Sequence, residues 1–170
     1  MSTGPNAQAL GQMCGELLDR EEAHLHATLG RLTRVRQLLA GGSLEALSGA
    51  AEEALAAAGE LDDLSASRTR FRQAAAAALG LAPAGVTVGR VAERLPAGQA
   101  AAVLARRAQI RALAEEVQRL NHTNATVAWW CLDFVQQVFA GLHGRPPGGR
   151  YGASGRPQQS AGASTWQGQG

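Results

Sequence analysis

Apolar residues recur along this chain at three and four positions for most of its length. Between about Ala7 and Leu39, Leu18, Leu25, Leu32 and Leu39 fall seven apart, and Leu17, Leu29 and Val35 broaden the stripe. Such spacing predicts a long amphipathic helix. Gly41-Gly42 would stop it, and Ser43 is placed to cap the next helix by accepting a bond from an unpaired backbone amide. That second helix, over 43–79, carries Leu44, Leu47, Leu55, Leu61, Leu64 and Phe71 and ends at Leu79-Gly80, where glycine permits a left-handed cap. Gly49 and Gly59 weaken its interior, and whether it runs unbroken through Gly59 stays open. Two long helices joined by so short a turn must run antiparallel.

Pro83 and Gly85 open a connection with one short helical turn, expected from Thr87 to Arg94, and Pro96 begins a third long helix over 97–142. There the heptad is sharpest. Val103, Ile110, Val117, Asn124, Cys131 and Val138 fall seven apart, interleaved with Arg106, Leu113, Leu120, Val127 and Phe134. A helix of about 45 residues is about 65 Å long, so the expected fold is all-α and elongated. It would be a helical hairpin plus a long third helix in a coiled-coil-like bundle, with residues 7–142 as one helical domain. Residues 143–170 change to Gly, Pro, Ser, Gln and Arg, which cannot bury enough surface to offset the entropy of ordering, and are expected to form a flexible tail.

The third helix changes character in its last third. The first seam continues through Val127, Cys131, Phe134 and Val138 with Trp130 beside it, a face expected to pack on the hairpin. A second stripe, Leu132, Val135, Phe139 and Leu142, begins only here, about 100° around the helix from the first. In an ordinary three-helix bundle, helix one would cover one stripe and helix two the other. The doubling is nevertheless confined to one end, and Trp129 and Trp130 add amphipathic surface of the kind enriched at interfaces. Four such residues left wet would forgo several kcal/mol at roughly 1.5 to 3 kcal/mol each, which a partner helix would recover. Asn124 sits on the seam, one turn from Asn121, and reads equally as a register pin between helices or as a partner contact.

Composition narrows the function. An aromatic fraction of 4% implies a core of Ala, Leu and Val, which suits closely packed helices. The chain has no Lys, and its sixteen basic residues are all Arg, a substitution attributable to genome composition. Residues 1–80 hold seven Arg against ten acids and residues 81–170 nine against four, yet only Arg106, Arg107 and Arg111 approach a basic stripe. Glu115 and Glu116 follow on the same helix, so a nucleic-acid ligand is not expected. No apolar run approaches the roughly 20 residues of a membrane span, and no secretory signal precedes the first helix, so a cytoplasmic location is expected. Cys14 and Cys131 then read as free thiols on apolar helix faces, paired only if their helices align.

Catalytic chemistry finds little support. His24 and His26 are two apart on a helix and point away from each other; His122 and His143 lack neighbours at ligand spacing, so no metal or cofactor is expected. The adjacent acids Glu21-Glu22, Glu52-Glu53, Asp62-Asp63 and Glu115-Glu116 diverge around their helices, as solvated faces do. Ser154 between glycines has no strand, His or acid arranged with it. An enzyme is not expected.

Leu61-x-x-Leu64-x-x-x-Arg68, Leu79-Gly80-Leu81, Asn121-x-x-Asn124 and Tyr151-Gly152-x-x-Gly155 occur in that order over residues 10–155, after a long helical hairpin begins. In this the chain resembles the FlgN-type flagellar export chaperones. The resemblance implies a small cytoplasmic protein that binds the C-terminal helical region of the hook-associated proteins FlgK and FlgL and delivers them to the type III export gate. By position it assigns Asn121 and Asn124 to the client-binding helix, joined there by Trp129, Trp130, Leu132, Val135, Phe139 and Leu142 from the stripe analysis. It associates Tyr151, with Gly152 and Gly155, with docking at the export machinery. Trp129-Trp130 and the Gln-rich end with Trp166 depart from the family's pattern. A monomer or weak oligomer is expected, and a self-associating coiled-coil scaffold is the alternative from another functional class.

Overall fold

The computed structural model describes residues 5–42 and 44–142, and these are helices and short turns. Helix α1 spans Pro5–Gly41, α2 Leu44–Ala56, α3 Ala58–Leu79, α4 Val88–Ala92 and α5 Ala97–Leu142, with a single 3-10 turn at Pro83–Gly85 before α4. The chain divides into two units within α5, the first ending at Ala125 and the second beginning at Thr126.

In the first unit α1 and the α2–α3 arm run antiparallel. Arg34 pairs with Glu53 at 3.3 Å, Arg31 with Glu60 at 3.1 Å and Arg68 with Glu21 at 2.7 Å, so partners advance along one helix as they retreat along the other. The first part of α5 lies alongside α1 in the parallel sense. A Cβ at Gly11 would stand 3.2 Å from Oε1 of Gln99, Arg106 binds Glu22 at 2.6 Å, and Asn124 reaches the carbonyl of Leu32.

Two breaks end the helices where glycine can take the left-handed conformation. Gly42 has φ 68° and donates its amide to the Leu38 carbonyl at 3.1 Å. At Gly80, φ is 66°, its amide bonds the Ala76 carbonyl, and the Leu81 amide bonds the same carbonyl at 3.0 Å. Both amides thus converge on the one Ala76 carbonyl as the chain turns back at the helix end. Thr87 caps α4 by accepting the Arg90 amide at 3.2 Å, and the carbonyl of Pro96 receives the Ala100 amide as α5 begins. Ser43 lies outside the described residues.

The expected single helix over 43–79 is two. The interruption falls at Ala57 and not at Gly59, which lies inside α3: the Glu60 amide bonds the Ala57 carbonyl three residues back, a tighter turn between two α-helical stretches. The expected turn over Thr87–Arg94 is α4, capped at Thr87, and the 3-10 turn at Pro83–Gly85 precedes it as an additional turn.

The core sits where the N-terminal half of α1 meets the end of α3, the α4 connection and the start of α5. Leu10, Cys14, Leu17 and Leu18 pack there with Phe71, Ala75, Ala76, Val86, Val91, Leu95 and Ile110. Ala75 and Ala76 keep α3 slim at this contact, and the short α4 supplies Val91, which is wholly buried. Burying Leu18 alone contributes roughly 1.5 to 3 kcal/mol. Toward its C-terminus α1 is covered less completely: Leu25, Leu29, Leu32, Val35, Leu38 and Leu39 are half-buried.

Charges cross between helices instead of only facing water. Glu21 and Glu22 diverge by about 100° around α1, so Glu21 meets Arg68 of α3 while Glu22 meets Arg106 of α5. Arg106, a seam position by spacing, also pairs with Asp19, and its hydrogen bond to Glu22 raises its pKa further above the ordinary arginine value.

Candidate partner-binding surface

Within the first unit α5 turns its seam inward. Ile110, Leu120 and Asn124 are buried, and Val103, Leu113 and Val117 are half-buried. Asn124 is 5% exposed; its Nδ2 donates to the Leu32 carbonyl at 2.7 Å, whereas its Oδ1 is buried without a donor. Asn121, one turn earlier, faces solvent. The two asparagines that sequence reasoning grouped together therefore have different surroundings.

The second unit, as far as it is described, is the helical stretch from Thr126 to Leu142, and its apolar residues are wet. Val127, Trp129, Trp130, Leu132, Phe134, Val135, Val138, Phe139 and Leu142 are between 41% and 77% exposed. Leu61 and Leu104 are the other exposed large apolar residues of the chain's described part. Scattered exposed leucines are ordinary on protein surfaces; nine large apolar side chains on five turns of one helix are not. The polar side of these turns is formed by Asp133, Gln136 and Gln137, with Gln137 Nε2 donating to Asp133 at 2.7 Å.

This corrects one expectation. The first seam over Val127, Cys131, Phe134 and Val138, with Trp130, was expected to pack on the hairpin, and it is exposed together with the second stripe. Apolar periodicity records which face wants cover, and the same pattern is written whether that cover is internal or external. Both stripes thus belong to one surface, and Val127, Cys131, Phe134 and Val138 join the residues predicted for it. Cys131, expected on an apolar face, is an exposed free thiol, while Cys14 is buried and free.

Such a surface offers burial and shape to a partner. Among the described residues no group of three or more His, Cys, Asp or Glu side chains could hold a metal ion. No helix among them is long and apolar enough to cross a membrane. Tyr151, Gly152 and Gly155, assigned to docking at the export machinery, lie outside the described residues, as does Trp166.

The FlgN protein family model matches residues 13–159, which takes in most of the hairpin and core and the exposed end of α5. The chain belongs to the FlgN family. It is a non-enzymatic flagellar export chaperone for the hook-associated proteins, and membership implies binding of FlgK and FlgL. No curated protein and no solved structure matches the chain.

Proposed function

We propose that the apolar turns between Thr126 and Leu142 are the surface on which this FlgN-family chaperone holds its client, and that the bound element is an amphipathic helix from the C-terminal region of FlgK or FlgL. The observation that supports this reading is the concentration of nine exposed large apolar side chains on one helical stretch. A helix laid against them would bury both surfaces, and each apolar residue fully removed from water adds roughly 1.5 to 3 kcal/mol. Leu132, Val135, Phe139 and Leu142 form one anchor row, Val127, Phe134 and Val138 the other, and Trp129 and Trp130 flank them. Asn121 lies on the accessible side at the approach to this surface, and Asn124 acts from beneath by fixing α5 on α1. Covering the client's apolar face keeps it unassembled in the cytoplasm until transfer to the export gate, with Tyr151 and its flanking glycines as the docking segment.

The test is light scattering after size exclusion, with the full chain alone and mixed with the C-terminal segment of a hook-associated protein from the same genome. A monomer that converts to a 1:1 complex is the expected result. The same exposed face also favours a second reading, pairing with a second copy of the chain. A stable homodimer that ignores the segment would establish self-association in place of client binding.

A further inference from the structure

Arg20 of α1 and Arg70 of α3 bring two guanidinium groups onto one oxygen. Arg20 Nη1 donates to Ser67 Oγ at 2.8 Å and Arg70 Nη2 to the same atom at 3.3 Å. Ser67 is 9% exposed, so this hydroxyl is a fixed, buried post between two positive charges. Other arginines that cross between helices here, Arg31, Arg34, Arg68 and Arg106, do so to reach carboxylates. No carboxylate among the described residues pairs with Arg20 or Arg70. The acid lining the same cleft, Glu16, accepts a bond from Gln12 at 3.2 Å.

The cleft is about 260 Å³, and Met13, Leu17, Phe71 and Ala74 form its apolar walls. Residues 13, 16, 17 and 20 recur at three and four along α1, so the cleft is continuous with one face of that helix. Arg106 approaches α1 at Asp19 and Glu22, on a different side. Arg20 and Arg70 are both exposed, so water screens their mutual repulsion; what the pair offers an anion is two guanidinium forks held on one hydroxyl, which match the oxygens of carboxylate and phosphate.

The geometry points to an oxyanion-binding site at Arg20, Arg70 and Ser67, taking a carboxylate or phosphate group whose neighbouring atoms are apolar enough to lie against Leu17 and Phe71. The group enters between the guanidiniums, accepts from both, and leaves Ser67 as the post that spaces them. Two sources share this chemistry, a free oxyanion and an acidic side chain presented by a partner protein. The site lies in the α1–α3 hairpin, and it stands or falls independently of the client surface on α5.

The test follows the arginine side-chain Nε–H signals of the full chain by nuclear magnetic resonance at constant ionic strength. One titration uses inorganic phosphate, the other an acetylated peptide of alternating leucine and glutamate. Saturable shifts of the Arg20 and Arg70 signals are expected, together with shifts of the Ser67 and Phe71 backbone amides that the Arg20→Gln/Arg70→Gln variant loses with unchanged helicity. Saturation by phosphate as tight as by peptide would identify a free oxyanion as sufficient; tenfold tighter peptide binding would identify a side chain flanked by apolar residues. Shifts that fail to saturate with either probe, or Ser67 and Phe71 amide shifts that persist in the double variant, would overturn the site.

Discussion

Asn124 of α5 donates to the backbone carbonyl of Leu32 in α1 at 2.7 Å, and the other half of its amide is buried with no donor. The bond ties one residue of α5 to one level of α1, so sliding either helix would break it. The orphan oxygen means that this specificity comes at a cost in stability. Asn124→Leu, which removes both the bond and the orphan, is expected to leave stability within about 1 kcal/mol, whereas Asn124→Asp should cost roughly 3 kcal/mol or more by burying a carboxylate against a carbonyl. Urea unfolding of the two variants distinguishes these outcomes.

Two phenylalanines separate core from surface. Phe71 is 6% exposed within the main cluster and Phe134 is 66% exposed on the second unit. Phe71→Ala should destabilise by about 3 to 5 kcal/mol, and Phe134→Ala by less than about 0.5 kcal/mol. If Phe134→Ala unfolded the chain as readily as Phe71→Ala, the second unit would have to be part of the core.

The two thiols should differ in reactivity. Burial, with a further contribution from the Glu21 charge, pushes the Cys14 thiol up to about 11, while Cys131 is exposed. At neutral pH a thiol reagent is expected to modify one cysteine per folded chain rapidly, Cys131, and Cys14 only after denaturation. Addition of client should slow the reaction at Cys131, which lies within the proposed surface.

Acid should loosen the hairpin through Glu60. Its hydrogen bond to Arg31 holds the carboxyl below the ordinary value of 4.5. The folded state therefore binds fewer protons than the unfolded one in that range, and stability rises with pH there. The contribution is complete above the unfolded value and is lost as pH falls through the folded one. In Glu60→Gln this part of the acid limb should be missing from unfolding midpoints measured between pH 6 and about 3.

Most of the architecture was legible because it rests on local rules. The leucine heptad of α1, the Leu79-Gly80 ending and Pro96 before α5 each act within one or two turns, and each appears in the structure at its expected place. The interruption at Ala57 was not legible, since alanine is the residue that most favours helix, whereas Gly59, the residue expected to weaken one, lies inside α3. The state of Val127, Phe134 and Val138 was not legible for another reason. Seam residues carry no mark of whether their cover comes from the same chain, and Ile110 and Phe134 obey the same periodicity while one is buried and the other wet. The Arg20–Ser67–Arg70 cluster depends on one contact between residues 47 positions apart on two helices, which helical periodicity does not encode, although its Ser67–Arg70 half lies within one turn of α3.

The central claim concerns the end of α5, and calorimetric titration of the Val135→Asp/Phe139→Asp variant with the C-terminal segment of a hook-associated protein tests it most directly. Wild-type chain should bind at 1:1, and the variant should show no binding heat while keeping the helicity and melting temperature of the wild type. Undiminished binding by the variant, or loss of binding together with loss of fold, would contradict the assignment of this surface to the client.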